Sequence, residues 1–559
     1  MKNIKFIFLA LLLCVCMVFT AVACKPTEPQ HEHSYGEWQT VKEADCTNKG
    51  EKKRVCSGCN DEQVEEIAPL GHDFRDTYVG DANSHWRVCS RCNVSDSKSE
   101  HVYVDGKCTL CDRLEPTASL AYNKIEGGYE VVGFLEGESD TNIVVAEEIN
   151  GEPVIAIAKS AFSSKPIVSV VLPDSIKNIG NQAFYACASL KKFHMGNSVE
   201  SVGDFAFQQA GISDMTISQS LKEIGQYAFS VMPNLTNVVI PATVEKVGKY
   251  AFYASGLQRV DIRGTVIGDG MFRACSSLSS IKFNDDMTEI PNTYAFRECT
   301  SLVKVTLPKS LIKLGSCAFY NCTALEEVVM APALEVIGDR AFYSTAISSI
   351  ELPQTLKEIK GYAFQYCKSL ETVNIPAGVV GIGTYSFAGS GLKNAVINSA
   401  VISDRAFSNC VSLESIKLGA SVRWIETRAF DGCTSLTNVD MKEKSEIGLD
   451  IREYAFNNCT SLQSITLNAG VFGIRPYVFN GCSALTSVEF ITEADTQWYT
   501  LKVINDTYDY TIQAFDKEEL EPTLIDVSNP QANATALKNN TSLLWRNRAI
   551  VYNPIYPKY

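Results

Sequence analysis

Leu302-Val-Lys-Val305-Thr-Leu307-Pro308-Lys-Ser-Leu311-Ile-Lys-Leu314-Gly315-Ser-Cys-Ala318-Phe319-Tyr-Asn-Cys322-Thr-Ala-Leu325 decides the fold, because the same pattern returns along most of the chain. Its spacing has a direct physical reading. Leu302, Val305 and Leu307 point inward while Lys304 and Thr306 point outward, as on a short strand. Pro308 cannot donate to a ladder and stops that strand. Leu311 and Leu314 turn inward again, and Gly315 permits a bend. Ala318-Phe319 then sets a small residue beside a large one in the core.

Phe recurs at 162, 184, 207, 229, 252, 272, 296, 319, 342, 364, 387, 407, 430, 456 and 479, fifteen positions separated by 20 to 26 residues. Three positions after the Phe stands Cys187, Cys275, Cys299, Cys322, Cys367, Cys410, Cys433, Cys459 or Cys482, replaced elsewhere by Ala210, Ser255, Thr345 or Ser390. A position that exchanges Cys for Ala, Ser or Thr wants a small buried group, not redox or metal chemistry. A unit this short cannot bury enough apolar surface alone, so each must be covered on both sides by its neighbours. The ends then need caps. Ala121 to Ala161 reads as an N-terminal β cap, and Trp498 to Tyr559 as a C-terminal one. In the latter, Ala532 to Leu544 has the pattern of a short helix with Trp545 packing beneath it.

The pattern L-x-x-V-x-L-P-x-S-L-x-x-I-G-x-x-A-F-x-x-C-x-x-L, matched from about Ile155 to Phe490, resembles the BspA-like leucine-rich repeats of bacterial surface proteins. The resemblance implies a β-rich, curved leucine-rich-repeat solenoid of about fifteen repeats of about 23 residues, with strands lining its concave face. It also implies a role in adhesion to host proteins or other cells, although fold alone does not fix function.

The start of the chain reads as an export signal. Lys2 and Lys5 precede the apolar run Phe6 to Thr20, and Ala21-Val22-Ala23-Cys24 resembles a lipobox whose Cys24 becomes diacylated. The same residues also satisfy the A-x-A rule for ordinary secretion. The expected organisation is a signal peptide over 1–23, a tether over 24–32, Cys/His modules over 33–115, the N-terminal cap over 116–161, the solenoid over 162–490 and the C-terminal cap over 491–559. The chain is thus expected at the cell surface on a lipid anchor, with plain secretion as the alternative. Among 559 residues the net charge is −14, which disfavours a nucleic-acid partner because phosphate backbones call for dense Lys and Arg.

Five of the six His and seven of the 20 Cys fall between His31 and Cys111. His33-x12-Cys46-x9-Cys56-x2-Cys59 and His72-x12-His85-x3-Cys89-x2-Cys92 share their opening interval and closing C-x-x-C, and His101-x6-Cys108-x2-Cys111 is a third fragment. Each of the first two offers the four N/S ligands of tetrahedral structural zinc. Cys89, Cys92, Cys108 and Cys111 alternatively have zinc-ribbon spacing. Disulfides compete, since they suit an exported chain, but the Cys count here is odd. No H-E-x-x-H helix suggests catalytic zinc.

No G-x-S-x-G elbow, Walker A loop or dinucleotide fingerprint appears, and the solenoid's one His, His194, is expected outward on a strand. The chain is therefore read as a non-enzymatic binding protein for proteins at host or bacterial surfaces. Lys192, Arg259, Asp261, Lys304, Glu327, Glu351, Lys417 and Asp440 are expected on the outward strand face as contact candidates. Loops bearing Tyr185, Tyr253, Tyr320, Tyr343 and Tyr366 are the other candidate surface. A passive envelope spacer and an accessory subunit that captures an extracellular substrate are the alternative readings.

Overall fold

The computed structural model describes residues 32–80, 84–104, 106–111, 113–291, 294–441, 448–467, 471–474, 477–485, 487–491, 498–504, 509–514 and 543–544. The chain divides after Arg113 into two units, and the described residues contain strands but no helix. The signal segment, Cys24 and Trp545 lie outside the described residues.

In the second unit the repeat becomes a β-solenoid whose coils pair in parallel along two rows. The first row holds the three- and four-residue strands foreseen from the L-x-x-V-x-L segment. Lys304–Thr306, for instance, pairs with Glu327–Val329 in the register Val305 to Val328. The second row was not foreseen. Its two-residue strands, such as Lys313–Leu314 against Val336–Ile337, come from the residues just before the glycine. One strand expected in the first row, around Ser349 and Glu351, does not form. Its in–out alternation persists, but only the Ser348 amide on the Glu326 carbonyl, at 3.3 Å, ties it to the preceding coil.

The third side of each coil has no strand. The Phe amide instead donates to the carbonyl of the residue before the next Phe, usually Ala, as Phe319 does to Ala341 and Phe342 to Ala363, both at 2.8 Å. Two residues on each side of the Phe the backbone turns left-handed: Tyr294 and Glu298 around Phe296, Cys317 and Asn321 around Phe319, Arg340 and Ser344 around Phe342. Few of these positions are glycine, although a side chain there costs about 1–2 kcal/mol. The repeated geometry of the stack holds them. Gly315 answers a different need. A Cβ there would lie 2.0 Å from the Pro291 carbonyl oxygen, so glycine is required for close approach of neighbouring coils, not for the bend expected from the sequence.

All fifteen Phe rings are in the core. Each stacks on the next, from Phe162 to Phe479, with centroids 5.0–5.8 Å apart and planes within 4–19°. Phe134 lies edge-on to Phe162, 74° from its plane, at the N-terminal end of the column. It belongs to the hairpin Leu120–Ile125 and Gly128–Phe134, which joins the second row through Glu152–Ile157. At the other end, Ser487–Ile491 continues into the antiparallel strands Trp498–Ile504 and Asp509–Ala514. Of the helix expected over Ala532–Leu544, Leu543 and Leu544 are extended and pair with Ile474 and Gly473, because the open edge of the second row offers amides and carbonyls to pair. The rest of that segment lies outside the described residues.

The cysteine position is more than small. All nine thiols donate to the carbonyl of the preceding coil's Phe, at 3.0–3.3 Å, from Cys187 on Phe162 to Cys482 on Phe456. Burial pushes the Cys322 thiol up to about 12, and the thiols of Cys275, Cys367 and Cys410 to about 11.

Phe319→Ala should cost about 3–5 kcal/mol in denaturant unfolding, because it opens a ring-sized void inside the column. An effect below about 1 kcal/mol would mean that the column does not hold the coils together. The solenoid thiols should resist alkylation at pH 8 until the protein unfolds, as read by mass spectrometry. Since the folded pKa values of Cys275, Cys322, Cys367 and Cys410 lie above the ordinary 9.0, the contribution of these thiols is complete below pH 9 and is lost as pH rises toward 11–12. Stability measured between pH 8 and 11 should therefore fall; a rise would contradict the assignment.

Candidate binding faces and candidate metal centres

The first-row strands bring the outward side chains of successive coils into lateral register. Lys304 and Glu327 are cross-strand neighbours joined at 2.6 Å, and Lys417 stands opposite Asp440. Asp261 is shared by Arg263 at 3.3 Å and Lys282 at 3.6 Å. Lys192 and Arg259 are exposed on strands, as is His194, while Glu351 is exposed outside any strand. The face is thus where the sequence placed it, but several of its charges are satisfied by the adjacent coil. Exposed pairs of this kind contribute about 0–1 kcal/mol each.

A second face runs along the edge formed by the Ala-Phe segments, and the sequence signalled it only in part. The left-handed residue two before each core Phe is often Tyr or Arg. Phe205, Tyr227 and Tyr250 stack at 5.1–5.5 Å. Arg273 reaches over Tyr253 and Tyr294, and Arg297 lies 4.6 Å from the centre of Tyr320. Tyr320 stacks on Tyr343 at 4.6 Å, and Tyr366 meets Tyr343 edge-on. Arg340 covers Tyr362 at 4.2 Å, and Tyr362 stacks on Tyr385. Arg428, Tyr454 and Tyr477 repeat the arrangement. The rings are mostly half-buried, with Tyr366 42% exposed. The positions the sequence left unread, such as Tyr227, Tyr250, Arg340 and Tyr362, could have been found by aligning the residues two before each Phe.

The first unit is built from small antiparallel sheets: Gln39–Lys42, Gly50–Val55 and Glu62–Ile67; Phe74–Gly80, Ser84–Cys89 and Ser99–Glu100; and Tyr103–Val104 with Lys107–Cys108. Each C-x-x-C forms a tight knuckle at a strand end. Asn60 donates to the Cys56 carbonyl and Asn93 to the Cys89 carbonyl, both Asn in the left-handed region.

None of the seven thiols here is in a disulfide, and all eleven expected ligands fall into three groups whose donor atoms lie within 4.8 Å of one another. The groups are His33 with Cys56 and Cys59; Cys46 with His72, Cys89 and Cys92; and His85 with His101, Cys108 and Cys111.

 Within them His33 Nδ1 lies 3.4 Å from Cys59 Sγ, Cys46 Sγ 3.8 Å from Cys89 Sγ, and His72 Nδ1 3.3 Å from Cys92 Sγ. His85 Nδ1 is 3.4 Å from His101 Nδ1 and 3.6 Å from Cys108 Sγ, and Cys111 Sγ is 3.4 Å from His101 Nδ1.

These groups correct both expected pairings. Cys46 does not join Cys56 and Cys59, because the six extended residues Gly50–Val55 between them span about 20 Å. His85 does not join Cys89 and Cys92, because it lies four residues from Cys89 on one strand, about 13 Å away. The ribbon grouping of Cys89, Cys92, Cys108 and Cys111 does not form either. Burial pushes the Cys89 thiol up, but the amides of Arg91, Cys92 and Asp73, with His72, outweigh it and bring it down to about 5. Burial and its thiol neighbours push the Cys46 thiol up to about 12.

A family model described as a BspA-type leucine-rich repeat region matches in six copies, over residues 155–267, 292–403 and 400–498. Among solved structures, a leucine-rich repeat protein from Bacteroides ovatus is 23% identical over 67% of this chain and 99% of its own, with a TM-score of 0.51. A leucine-rich cell surface protein from Faecalibacterium prausnitzii is 24% identical over 68% of this chain and 95% of its own, with a TM-score of 0.35. The pneumococcal vaccine antigen PcpA is 18% identical over 60% of this chain and 98% of its own, with a TM-score of 0.36. No curated protein matches the chain.

Proposed function

The chain belongs to the BspA-type leucine-rich repeat family, and we propose that it is a non-enzymatic binding protein, exported and held at the cell surface, whose solenoid contacts other proteins. The observation that carries the reading is the Tyr/Arg edge, a half-exposed row of Tyr and Arg running from Phe205 to Tyr477. Tyr and Arg are the residue types that dominate binding energy at protein interfaces. Their guanidinium and ring faces are already paired along the solenoid, so the side chains are pre-organised and lose little freedom on binding. The same pairing leaves few open ring faces for sugar rings, which favours a protein partner over a polysaccharide. The strand face, with its mutually satisfied charges, then serves solubility and coil-to-coil register. Export rests on residues 1–24, with Cys24 as the acylated anchor.

The test is a pull-down of host and bacterial surface proteins by the full chain. Arg297→Ala with Tyr343→Ala should weaken saturable binding at least about tenfold, whereas Lys304→Ala with Glu327→Ala should change it little. The reverse order would move the contact to the strand face. Absence of any saturable partner supports a passive spacer, and binding of polysaccharide alone supports substrate capture; either outcome overturns the proposal.

For the first unit we propose structural zinc. Two thiolates each ~2.3 Å from a tetrahedral zinc lie ~3.8 Å apart, and two imidazole nitrogens at ~2.05 Å lie ~3.4 Å apart. The Cys46–Cys89 and His85–His101 separations are 3.8 and 3.4 Å. A disulfide would need sulfurs at about 2.05 Å. Ser99 Oγ lies 3.1 Å from His85 Nε2, the outer hydrogen-bond partner that fixes a ligating imidazole. Native mass spectrometry should find at least two zinc ions per chain, released as pH falls and the ligands protonate, and a diacylglyceryl adduct on Cys24. Less than one ion per chain, with disulfides intact, would defeat the zinc reading.

A further inference from the structure

We infer that zinc in the first unit works as a relay, in which each four-ligand centre is assembled by two successive modules and so staples one to the next. This rests on the zinc reading given above.

The relay is visible in the intervals. The first two modules each carry a donor thirteen residues after the opening His: Cys46 after His33 and His85 after His72. In both, that donor leaves its own C-x-x-C and joins the following one. Cys46 reaches His72, Cys89 and Cys92, and His85 reaches His101, Cys108 and Cys111. The third module has a shorter interval, with no His or Cys between His101 and Cys108.

The backbone is arranged to make the hand-over. Asp45 holds the turn around Cys46, its carboxylate accepting from the amides of Thr47 at 2.8 Å and Asn48 at 2.7 Å. The Asp45 carbonyl in turn accepts from the Leu70 amide at 2.8 Å, which brings the stretch leading to His72 against the Cys46 turn. His85 is 1% exposed on its strand and turns its Nε2 to Ser99, leaving Nδ1 for the next centre. Strand length enforces the exchange. A donor carried away from its own knuckle by an extended segment can be used only by a neighbour.

Removing a donor from one module should therefore disable the metal centre of the next. Thiol footprinting of the zinc-loaded full chain with N-ethylmaleimide, read by peptide mass, tests this directly. In Cys46→Ala, Cys89 and Cys92 should alkylate at least about tenfold faster, while Cys56 and Cys59 keep the protection they have in the parent. Cys46→His, which restores a zinc ligand at that position, should return the protection of Cys89 and Cys92. If Cys46→Ala instead exposes Cys56 and Cys59 and spares Cys89 and Cys92, each module is self-contained and the relay is overturned. If every thiol becomes reactive in Cys46→Ala and Cys46→His restores none, Cys46 acts through folding and the relay is also overturned. Failure of the zinc reading itself looks different: the parent chain would hold no zinc and show no protection to lose.

Discussion

Ring-on-ring stacking of one phenylalanine per coil is the interaction on which the solenoid depends. A coil of this length has too little apolar surface to fold alone, and its Phe becomes buried only when the coils before and after it cover both faces of the ring. That requirement accounts for features that look unfavourable one at a time. Left-handed Tyr and Arg residues flank the column because the chain must turn sharply to return its Phe to the axis. Glycine stands where adjacent backbones approach too closely for a Cβ. The cysteine thiol completes the hydrogen bonding of a carbonyl buried beside the ring of the coil before it.

The two units solve the same problem with different materials. A Cys/His module buries few apolar residues, so stacking cannot complete it. Donor exchange across modules, with a cation between them, would supply the neighbour-to-neighbour bond that phenylalanine supplies in the solenoid. In both arrays a unit is unfinished by itself, and stability arises between units.

That design also shapes the surface. Because every coil presents its side chains at the same height as its neighbours, whatever stands outward becomes a row. On the strand face the rows bring Lys beside Glu or Asp, and several of the charges satisfy one another. Along the Ala-Phe edge they bring Tyr beside Tyr and Arg, held in place by the same stacking that orders the core. A row of pre-ordered aromatic and guanidinium groups is a better contact surface than a row of neutralised charges, which is why the edge is favoured for binding.

The sequence by itself determined the period, the identity of the core and the orientation of the first-row residues, because burial imposes a spacing that any reader of the chain can measure. The small buried position after each Phe was legible for the same reason. Tertiary structure alone decided what depends on the next coil or module: the second strand row, the thiol-to-carbonyl bond, the close approach that requires Gly315 and the Tyr/Arg edge. It also decided that Cys46 and His85 sit with the following C-x-x-C. Ligand intervals counted along the chain treat the intervening residues as flexible, whereas an extended strand carries a donor about 3.3 Å per residue away from its own knuckle and toward a neighbour.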